Sequence, residues 1–254
     1  MRYFVPDHRL ADELSPQSKI EEKLGGMPWG LPSDRWPMCA NCGKPLSLLA
    51  QLLHHSERLN LGHDGRSLFV FQCNQDPGMC SSWEGGSGAN ACFVLEPEQL
   101  IRGLSPVPEK AVEPDREVRI VNWIEREDGL MAEQAAFFFD EAKWDALEED
   151  QREELFEKSE QCTRLGGVPT WIQSMGEAPQ DGWRFVGQLD SDHRFLTPPA
   201  PGAKDVRAVK TNPDNPQELT YFCSGPNFGD AGIGYIFLKD AAGVPEGWFF
   251  WQCG

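Results

Sequence analysis

The sequence predicts an α+β fold with a strand-rich core, in which two related copies of one unit form a single body. Three observations lead to this prediction: several segments with few charges and many aromatic or β-branched residues, a repeated Leu-Gly-Gly-x-Pro motif, and 25 glycines and 20 prolines in 254 residues. So many turn-forming residues argue against a helical bundle. A chain of this length buries roughly three quarters of its unfolded surface, so it needs no disulfide bonds to hold a core.

Two helices are predicted, each ending at a Gly-Gly pair. The first has Ser15 as its N-cap and Pro16 as its first helical residue, and it runs to Leu24. The second runs from Asp140 to Leu165, with an apolar stripe on one side. Ten carboxylates between Asp140 and Glu160 are expected to form its solvated face.

The predicted strands share a low charge and a high content of β-branched and aromatic residues. They are Leu68–Phe71, Cys92–Leu95, Val118–Ile124, Tyr235–Leu238 and Trp248–Trp251, with Phe137–Phe139 as a further short candidate.

An internal duplication is indicated by matches that occur in the same order and at nearly constant offsets. The matched pairs are Leu24–Pro28 with Leu165–Pro169, Ala50–Leu52 with Gly187–Leu189, Leu68–Cys73 with Leu219–Cys223, and Cys92–Leu95 with Tyr235–Leu238. The predicted organisation is an N-terminal extension (1–14), a first copy (15–104), a proline-rich connector (105–117) and a second copy with the acidic helix (118–254).

Four of the eight cysteines form two close pairs, Cys39 with Cys42 and Cys73 with Cys80. A Cys-x-x-Cys pair followed by Gly43 is typical of a knuckle that binds one tetrahedral ion. With the second pair it predicts a Cys₄ structural Zn²⁺ site in the first copy only. The alternatives are four unligated thiols or a redox Cys-x-x-Cys, although no βαβ pattern is present. His54, His55 or His63 would be the replacement if one thiol were not a ligand.

A second candidate site lies in the second copy. Asp190, Asp192 and Asp230, with His193, would hold Mg²⁺ for phosphodiester chemistry if these loops met. Aspartate and glycine are also the usual turn residues, and the turn interpretation is favoured.

The charge of −17 excludes some partners and favours others. An acidic surface repels the phosphates of duplex nucleic acid and of anionic lipid, and it attracts basic proteins. Most of the charge belongs to the second half, since residues 1–110 carry −3 and residues 111–254 carry −14. With no targeting or membrane-spanning segment evident, we expect a cytoplasmic location.

The motifs Leu165–Pro169, Gln188–Asp192 and Phe228–Tyr235 together resemble the YwqG-like family of bacterial proteins, a duplicated α+β fold. The first copy, with Cys39–Leu49 and Leu68–Cys73, is similar to the opening of the programmed-cell-death-two family of eukaryotes. The two families form one superfamily, the TYPP domain. The resemblance implies that eukaryotic relatives are chaperones for a basic ribosomal protein, and it implies no established catalytic residues.

Two functions are therefore predicted. The favoured one is a non-enzymatic, zinc-braced protein-binding module, a chaperone or an immunity-type inhibitor with a basic protein client. The alternative is a metal-dependent nuclease or RNA-processing enzyme that uses Asp190, Asp192 and Asp230.

Overall fold

A computed structural model describes residues 1–76, 79–210 and 219–254. The described residues of the first half form six strands: β1 Arg2–Leu10, β2 Lys23–Leu24, β3 Ser47–Leu53, β4 Ser67–Gln72, β5 Asn90–Leu95 and β6 Val118–Glu127. Three short helices follow: α1 Ala132–Ala135, α2 Glu141–Asp145 and α3 Glu149–Glu157. The remaining strands are β7 Arg164–Gly166, β8 Trp183–Asp190, β9 Asp192–Phe195, β10 Val206–Lys210, β11 Leu219–Ser224, β12 Ile233–Lys239 and β13 Glu246–Gln252.

Ten of these strands form one closed antiparallel barrel, in the order β1-β6-β2-β3-β4-β5-β13-β12-β8-β7. The other three form a separate sheet in the order β10-β11-β9, which is inserted in the chain between β8 and β12. The predicted strand-rich core is confirmed, and each of the five firmly predicted segments lies in a barrel strand. Phe137–Phe139, in contrast, lies in a 3₁₀ helix and not in a strand.

Strands β4 and β12 are apolar on both faces, because the barrel is covered there on the outside as well as filled. In β4, Leu68 and Val70 belong to the cluster that both halves of the chain share, whereas Phe69 belongs to an outer cluster. In β12, Ile236 belongs to the shared cluster and Phe237 to a second outer cluster. Alternation with a period of two therefore directs neighbouring residues of one strand into different cores.

The prediction of a helix from Ser15 to Leu24 is wrong. No helix occurs there, and Lys23–Leu24 pairs with both β3 and β6. The Lys23 side chain is fully buried, and its ammonium contacts Glu117 Oε2 at 3.0 Å. Pairing with two barrel strands overrides the local helix signals of Ser15 and Pro16.

The second predicted helix is interrupted and ends earlier than expected. Helix α2 ends at Asp145, and α3 begins with a capping box in which Gln151 accepts a hydrogen bond from the Glu148 amide. Leu165 belongs to β7, where it pairs with β1 and β8. The acidic face is nevertheless present, since eight of the ten carboxylates between residues 140 and 160 are exposed.

The matched segments of the predicted duplication fall in different surroundings. The two Leu-Gly-Gly motifs lie at equivalent places, because β2 and β7 are both short strands between two longer barrel strands. Leu68–Cys73 lies mainly in the barrel strand β4, but Leu219–Cys223 lies in the separate sheet. These two segments therefore do not occupy corresponding positions, and the duplication stays a prediction.

The predicted domain limits cross the barrel. Residues 1–14, predicted as an extension, contain β1, and β6 from the predicted second copy lies between β1 and β2. The barrel is thus one body built from both halves.

The longest helix in the described part of the chain, α3, has nine residues, and no helix there is long and apolar enough to span a membrane.

Candidate metal centre

Cys39 and Cys42 lie on a tight turn that its own backbone hydrogen bonds close. The Cys39 amide donates to Lys44 O at 2.8 Å, and the Gly43 amide donates to Cys39 O at 2.8 Å. Gly43 has a φ of +67°, in the left-handed region that favours glycine. The sequence thus folds this segment as the predicted knuckle.

Cys73 and Cys80 approach the knuckle from the end of β4. The Cys73 amide donates to Ala89 O at 2.8 Å, which continues the strand pairing by one residue. The Cys80 amide donates to Asp76 O at 3.3 Å, so the chain turns back after the strand. The middle of the predicted turn, Pro77 and Gly78, lies outside the described residues.

The structure brings all four thiols together in what we call the cysteine cluster: Cys39, Cys42, Cys73 and Cys80. Their Sγ atoms lie within 4.8 Å of one another, and Cys42 Sγ is 3.7 Å from Cys73 Sγ. A tetrahedral ion with metal–sulfur bonds of about 2.3 Å places its sulfurs about 3.8 Å apart. The arrangement is therefore compatible with a metal site.

Burial and the close approach of the thiols to one another change the pKa values of Cys42, Cys73 and Cys80. Burial raises the pKa of the Cys73 thiol to about 11, and burial together with the neighbouring thiols raises the pKa of Cys80. At the exposed Cys42, desolvation alone would raise the pKa of the thiol. Hydrogen bonds with the Lys44 backbone and with the other thiols have the larger combined effect, so the pKa of Cys42 is lowered. A divalent cation reverses such penalties, since it stabilises thiolates directly.

Apolar packing holds the cluster in place. Trp36 donates from Nε1 to Leu46 O at 3.0 Å, and its ring meets Phe71 edge-on at 5.8 Å. Phe71 in turn stacks on Phe93 at 6.0 Å. Three of the four cysteines are buried in this layer, so the cluster is continuous with the wall of the barrel.

None of the three candidate replacement histidines belongs to the cysteine cluster. His54 accepts a hydrogen bond from the Leu61 amide at 3.0 Å, and His55 accepts one from the Glu57 amide at 3.2 Å. His63 Nε2 lies 3.1 Å from a Glu96 oxygen.

Asp190, Asp192 and Asp230, the aspartates of the second candidate site, are not grouped as the ligands of one metal ion. Within the described ranges, no group of three or more possible ligands other than the cysteine cluster has metal-binding spacing. Asp192 forms an ion pair with Arg207, and the Asp192 amide donates to Asp190 Oδ1 at 3.0 Å. Burial raises the pKa of Asp190 to about 6, and Asp230 is exposed. This is the local bonding of turn residues.

His193 is separated from the neighbouring carboxylates by the alternation of β9, which directs residues 192 and 193 to opposite faces. It is buried against the His8 ring at 5.6 Å, and neither ring has a hydrogen-bond partner among the described residues. Sequence analysis missed this pair, because nothing in the local pattern shows that β1 and β9 meet.

The eight cysteines are all free thiols. The four outside the cluster pack with apolar residues: Cys223 is buried in the shared core, Cys92 and Cys253 lie against it, and Cys162 is buried beside Tyr3.

Comparison with known proteins gives one family. No curated protein matches the chain. The model of a domain of unknown function, DUF1963, matches residues 22–243, which include the cysteine cluster. The chain therefore belongs to the DUF1963 family.

Proposed function

We propose that the chain is a non-enzymatic protein-binding module with a structural Zn²⁺ at the cysteine cluster and a basic protein as its client. The observation that carries the zinc proposal is the close approach of four thiols, with 3.7 Å between Cys42 Sγ and Cys73 Sγ. Four sulfur ligands fill a tetrahedral zinc ion and leave no position for water or substrate. A site of that type supports structure and not catalysis.

The proposed metal has a direct test. We expect one zinc per chain by elemental analysis of protein purified without added metal, and we expect a strong chelator to lower the melting temperature. Protein that contains no zinc, or that keeps its melting temperature after chelation, would refute the zinc brace.

The proposal of a basic client rests on the exposed carboxylates of α2 and α3 and on the net charge of −17. Such a surface speeds the encounter with cationic polypeptides and repels nucleic acid. The proposal also draws on the resemblance to the YwqG-like and programmed-cell-death-two families, which implies a chaperone or an immunity-type inhibitor. The free thiols suit a reducing compartment, in line with a cytoplasmic location.

Affinity capture with mass spectrometry tests the client. We expect a basic protein to be retained, and we expect the purified pair to dissociate more readily as the salt concentration rises. Recovery of no basic protein, or binding that salt leaves unchanged, would contradict this function.

The nuclease alternative remains a prediction with its own test. It requires Asp190, Asp192 and Asp230 to act together on RNA. If a ribonuclease activity is found, the triple alanine variant should abolish it, and its persistence in that variant would exclude these residues.

A further inference from the structure

A cleft with aromatic walls and an acidic rim lies where the helical segment meets the barrel. We call it the acidic cleft, and its volume is about 440 Å³. It is lined by the rings of Phe139, Trp171, Trp183 and Phe237, and its rim carries Asp140, Glu141 and Asp181. A smaller cavity of about 320 Å³ adjoins it, shares Glu141, Trp171 and Met175, and adds Trp144, Asp145 and Phe156.

The floor of the cleft is fixed by hydrogen bonds and ring packing. Trp171 donates from Nε1 to Phe138 O at 2.8 Å, and its ring lies 4.7 Å from that of Tyr235. The Tyr235 hydroxyl donates to Thr170 O at 2.7 Å, which secures the start of the loop that carries Trp171. A floor held in this way presents its aromatic surface without reorganisation, which lowers the entropic cost of binding.

One aromatic wall is open to solvent, although the rings of Trp171 and Phe237 are buried. Phe139 is 49% exposed, whereas Phe237 on the floor is 2% exposed. Phe139 follows directly after Phe138, which is buried in the outer core, so one turn of the chain presents one ring inward and one ring outward.

The rim of the cleft is negative. No described lysine or arginine lines either cavity. Glu141 is oriented by Ser174, whose hydroxyl donates to Glu141 Oε1 at 2.7 Å. Lys143 pairs with Asp140 at 2.8 Å, and the Lys239 ammonium lies 5.9 Å from the centre of the Trp183 ring. The Trp183 ring thus already faces one cation.

Aromatic faces and carboxylates in one recess both attract a cation. The negative face of a tryptophan or phenylalanine ring attracts guanidinium and ammonium groups, and the attraction increases where water is excluded. Carboxylates at the rim add charge-assisted hydrogen bonds. An apolar anchor such as leucine would bury the same rings but would make no charge-assisted hydrogen bond with Glu141 or Asp181.

We propose that the acidic cleft binds an arginine or lysine side chain of a basic polypeptide, while Asp145 of α2, which lines the adjoining cavity, contacts a cationic residue next to that anchor. The proposal rests on the proposed function, because it assigns the binding surface for the basic client. The occupant is a peptide segment and not a folded apolar face.

The test uses the full-length zinc-loaded protein and a fluorescein-labelled nona-arginine peptide at about 150 mM salt, where long-range attraction between exposed charges is largely screened. The E141Q/D181N double variant neutralises two rim carboxylates, and the F139A variant removes the exposed wall. We expect at least about 10-fold weaker binding for the first and about 5-fold for the second, the size of hot-spot and cation–π effects. Both substitutions at 141 and 181 keep the shape, and asparagine tolerates the positive φ of +59° at Asp181.

The matched control is E149Q/E153Q, which removes two exposed carboxylates of α3 that line neither cavity. It changes the net charge by the same amount as the rim variant, so it measures the effect of overall charge alone. We expect less than about 3-fold weaker binding from it, in keeping with the small effect of exposed charges. Binding to the wild type should also quench tryptophan fluorescence from Trp171 and Trp183.

The possible outcomes distinguish a failure of the cleft proposal from a failure of the proposed function. If the control and the rim variant weaken binding equally, or if F139A binds as tightly as wild type, the cleft is not the site, although a basic client stands. If nona-arginine does not bind but the captured basic protein does, the cleft proposal fails alone. If neither binds, the proposed function fails as well. Equal binding of free arginine and of the peptide would show a small-molecule site and overturn the peptide proposal.

Discussion

The two halves of the barrel cover their outer faces in different ways. In the first half, the outward Phe69 and Phe71 of β4 lie beneath the cysteine cluster and Trp36. In the second half, the outward Tyr235 and Phe237 of β12 lie beneath a layer of short helices and the Trp171 loop. The cover of the first half contains the four thiols of the cysteine cluster, and the cover of the second half consists mainly of large aromatic rings.

This difference teaches what each cover can do. The cysteine cluster packs against Trp36 and Phe71, and a bound metal would add to the stability that this packing supplies. The helical cover contributes its own apolar area and places the exposed carboxylates on the surface. It fits the barrel incompletely, and the acidic cleft remains between the two.

Beneath the covers, the two halves share an arrangement of buried polar residues. Lys23 pairs in register with Gln51, and Arg164 pairs in register with Gln188. Each glutamine accepts a hydrogen bond from the amide that follows the Gly-Gly-x-Pro turn: Gln51 from Trp29 at 2.8 Å and Gln188 from Thr170 at 2.9 Å. The duplication predicts this correspondence.

The largest loss of stability should come from removing one thiol of the cysteine cluster. We expect Cys39→Ser to lower the unfolding free energy by at least about 3 kcal/mol, because structural zinc contributes of the order of 10 kcal/mol of binding free energy. Urea denaturation with zinc analysis measures both losses. The control is Cys253→Ser, a half-buried thiol outside the cluster. Equal losses in the two variants would show that the cluster has no special role.

The next largest loss of stability should come from replacing a buried cation, Arg164 in the second half or Lys23 in the first. Arg164 donates to the carbonyls of Glu160 and Val168 and to Thr170 Oγ1, and Arg164→Met removes all three of these hydrogen bonds from a buried place. We expect a loss of about 3 kcal/mol in unfolding free energy.

Lys23→Met is the matched variant in the first half. It should cost less, about 1 to 2 kcal/mol, because Glu117, its partner, is 22% exposed and can be hydrated. Chemical denaturation of both variants checks the order, and a larger loss for Lys23→Met would reverse the comparison.

The histidine pair between β1 and β9 predicts a pH dependence. Burial lowers the pKa of His8 to about 3 and that of His193 to about 4, so the unfolded chain binds their protons first as the pH falls below 6.5. Stability should therefore fall by about 1.4 kcal/mol per pH unit for each histidine. Asp190, whose pKa is raised to about 6, acts in the opposite direction between pH 6 and 3.8.

Denaturation between pH 7 and pH 5 measures this dependence. His8→Leu should reduce the slope by about 1.4 kcal/mol per pH unit, and Asp190→Asn should increase it below pH 6 by a similar amount. An unchanged slope in His8→Leu would show that His8 does not stay neutral in the folded protein.

The smallest expected difference in unfolding free energy is that between substitutions of Gln188 and of Gln51. Gln188 also donates from Nε2 to Cys162 O at 3.0 Å and to Thr170 Oγ1 at 3.3 Å, whereas Gln51 Nε2 has no hydrogen-bond partner among the described residues. Gln188→Leu should therefore lower the unfolding free energy by at least about 1 kcal/mol more than Gln51→Leu, because a single buried hydrogen bond contributes about that much. Equal losses would show that the hydrogen bonds from Gln188 Nε2 add nothing.

Part of the candidate site followed directly from the sequence. Cys39 and Cys42 are three positions apart with Gly43 behind them, so the knuckle is a local feature that turn geometry alone specifies. The link from this knuckle to Cys73 and Cys80 was predicted by the pairing of the cysteines and by chemistry, and the structure brings the four together. The helix from Ser15 was wrong because strand pairing at Lys23 outweighed local propensity.

The sequence by itself determined five of the barrel strands, the cysteine knuckle and the excess of negative charge, because each depends on residues near one another in the chain. Only the tertiary structure decided that β1 and β6 close one barrel, that His8 meets His193, and that Phe139, Trp171 and Asp181 surround one cleft. These contacts join residues tens to hundreds of positions apart. They are fixed by which apolar faces pack together, and no local pattern records that choice.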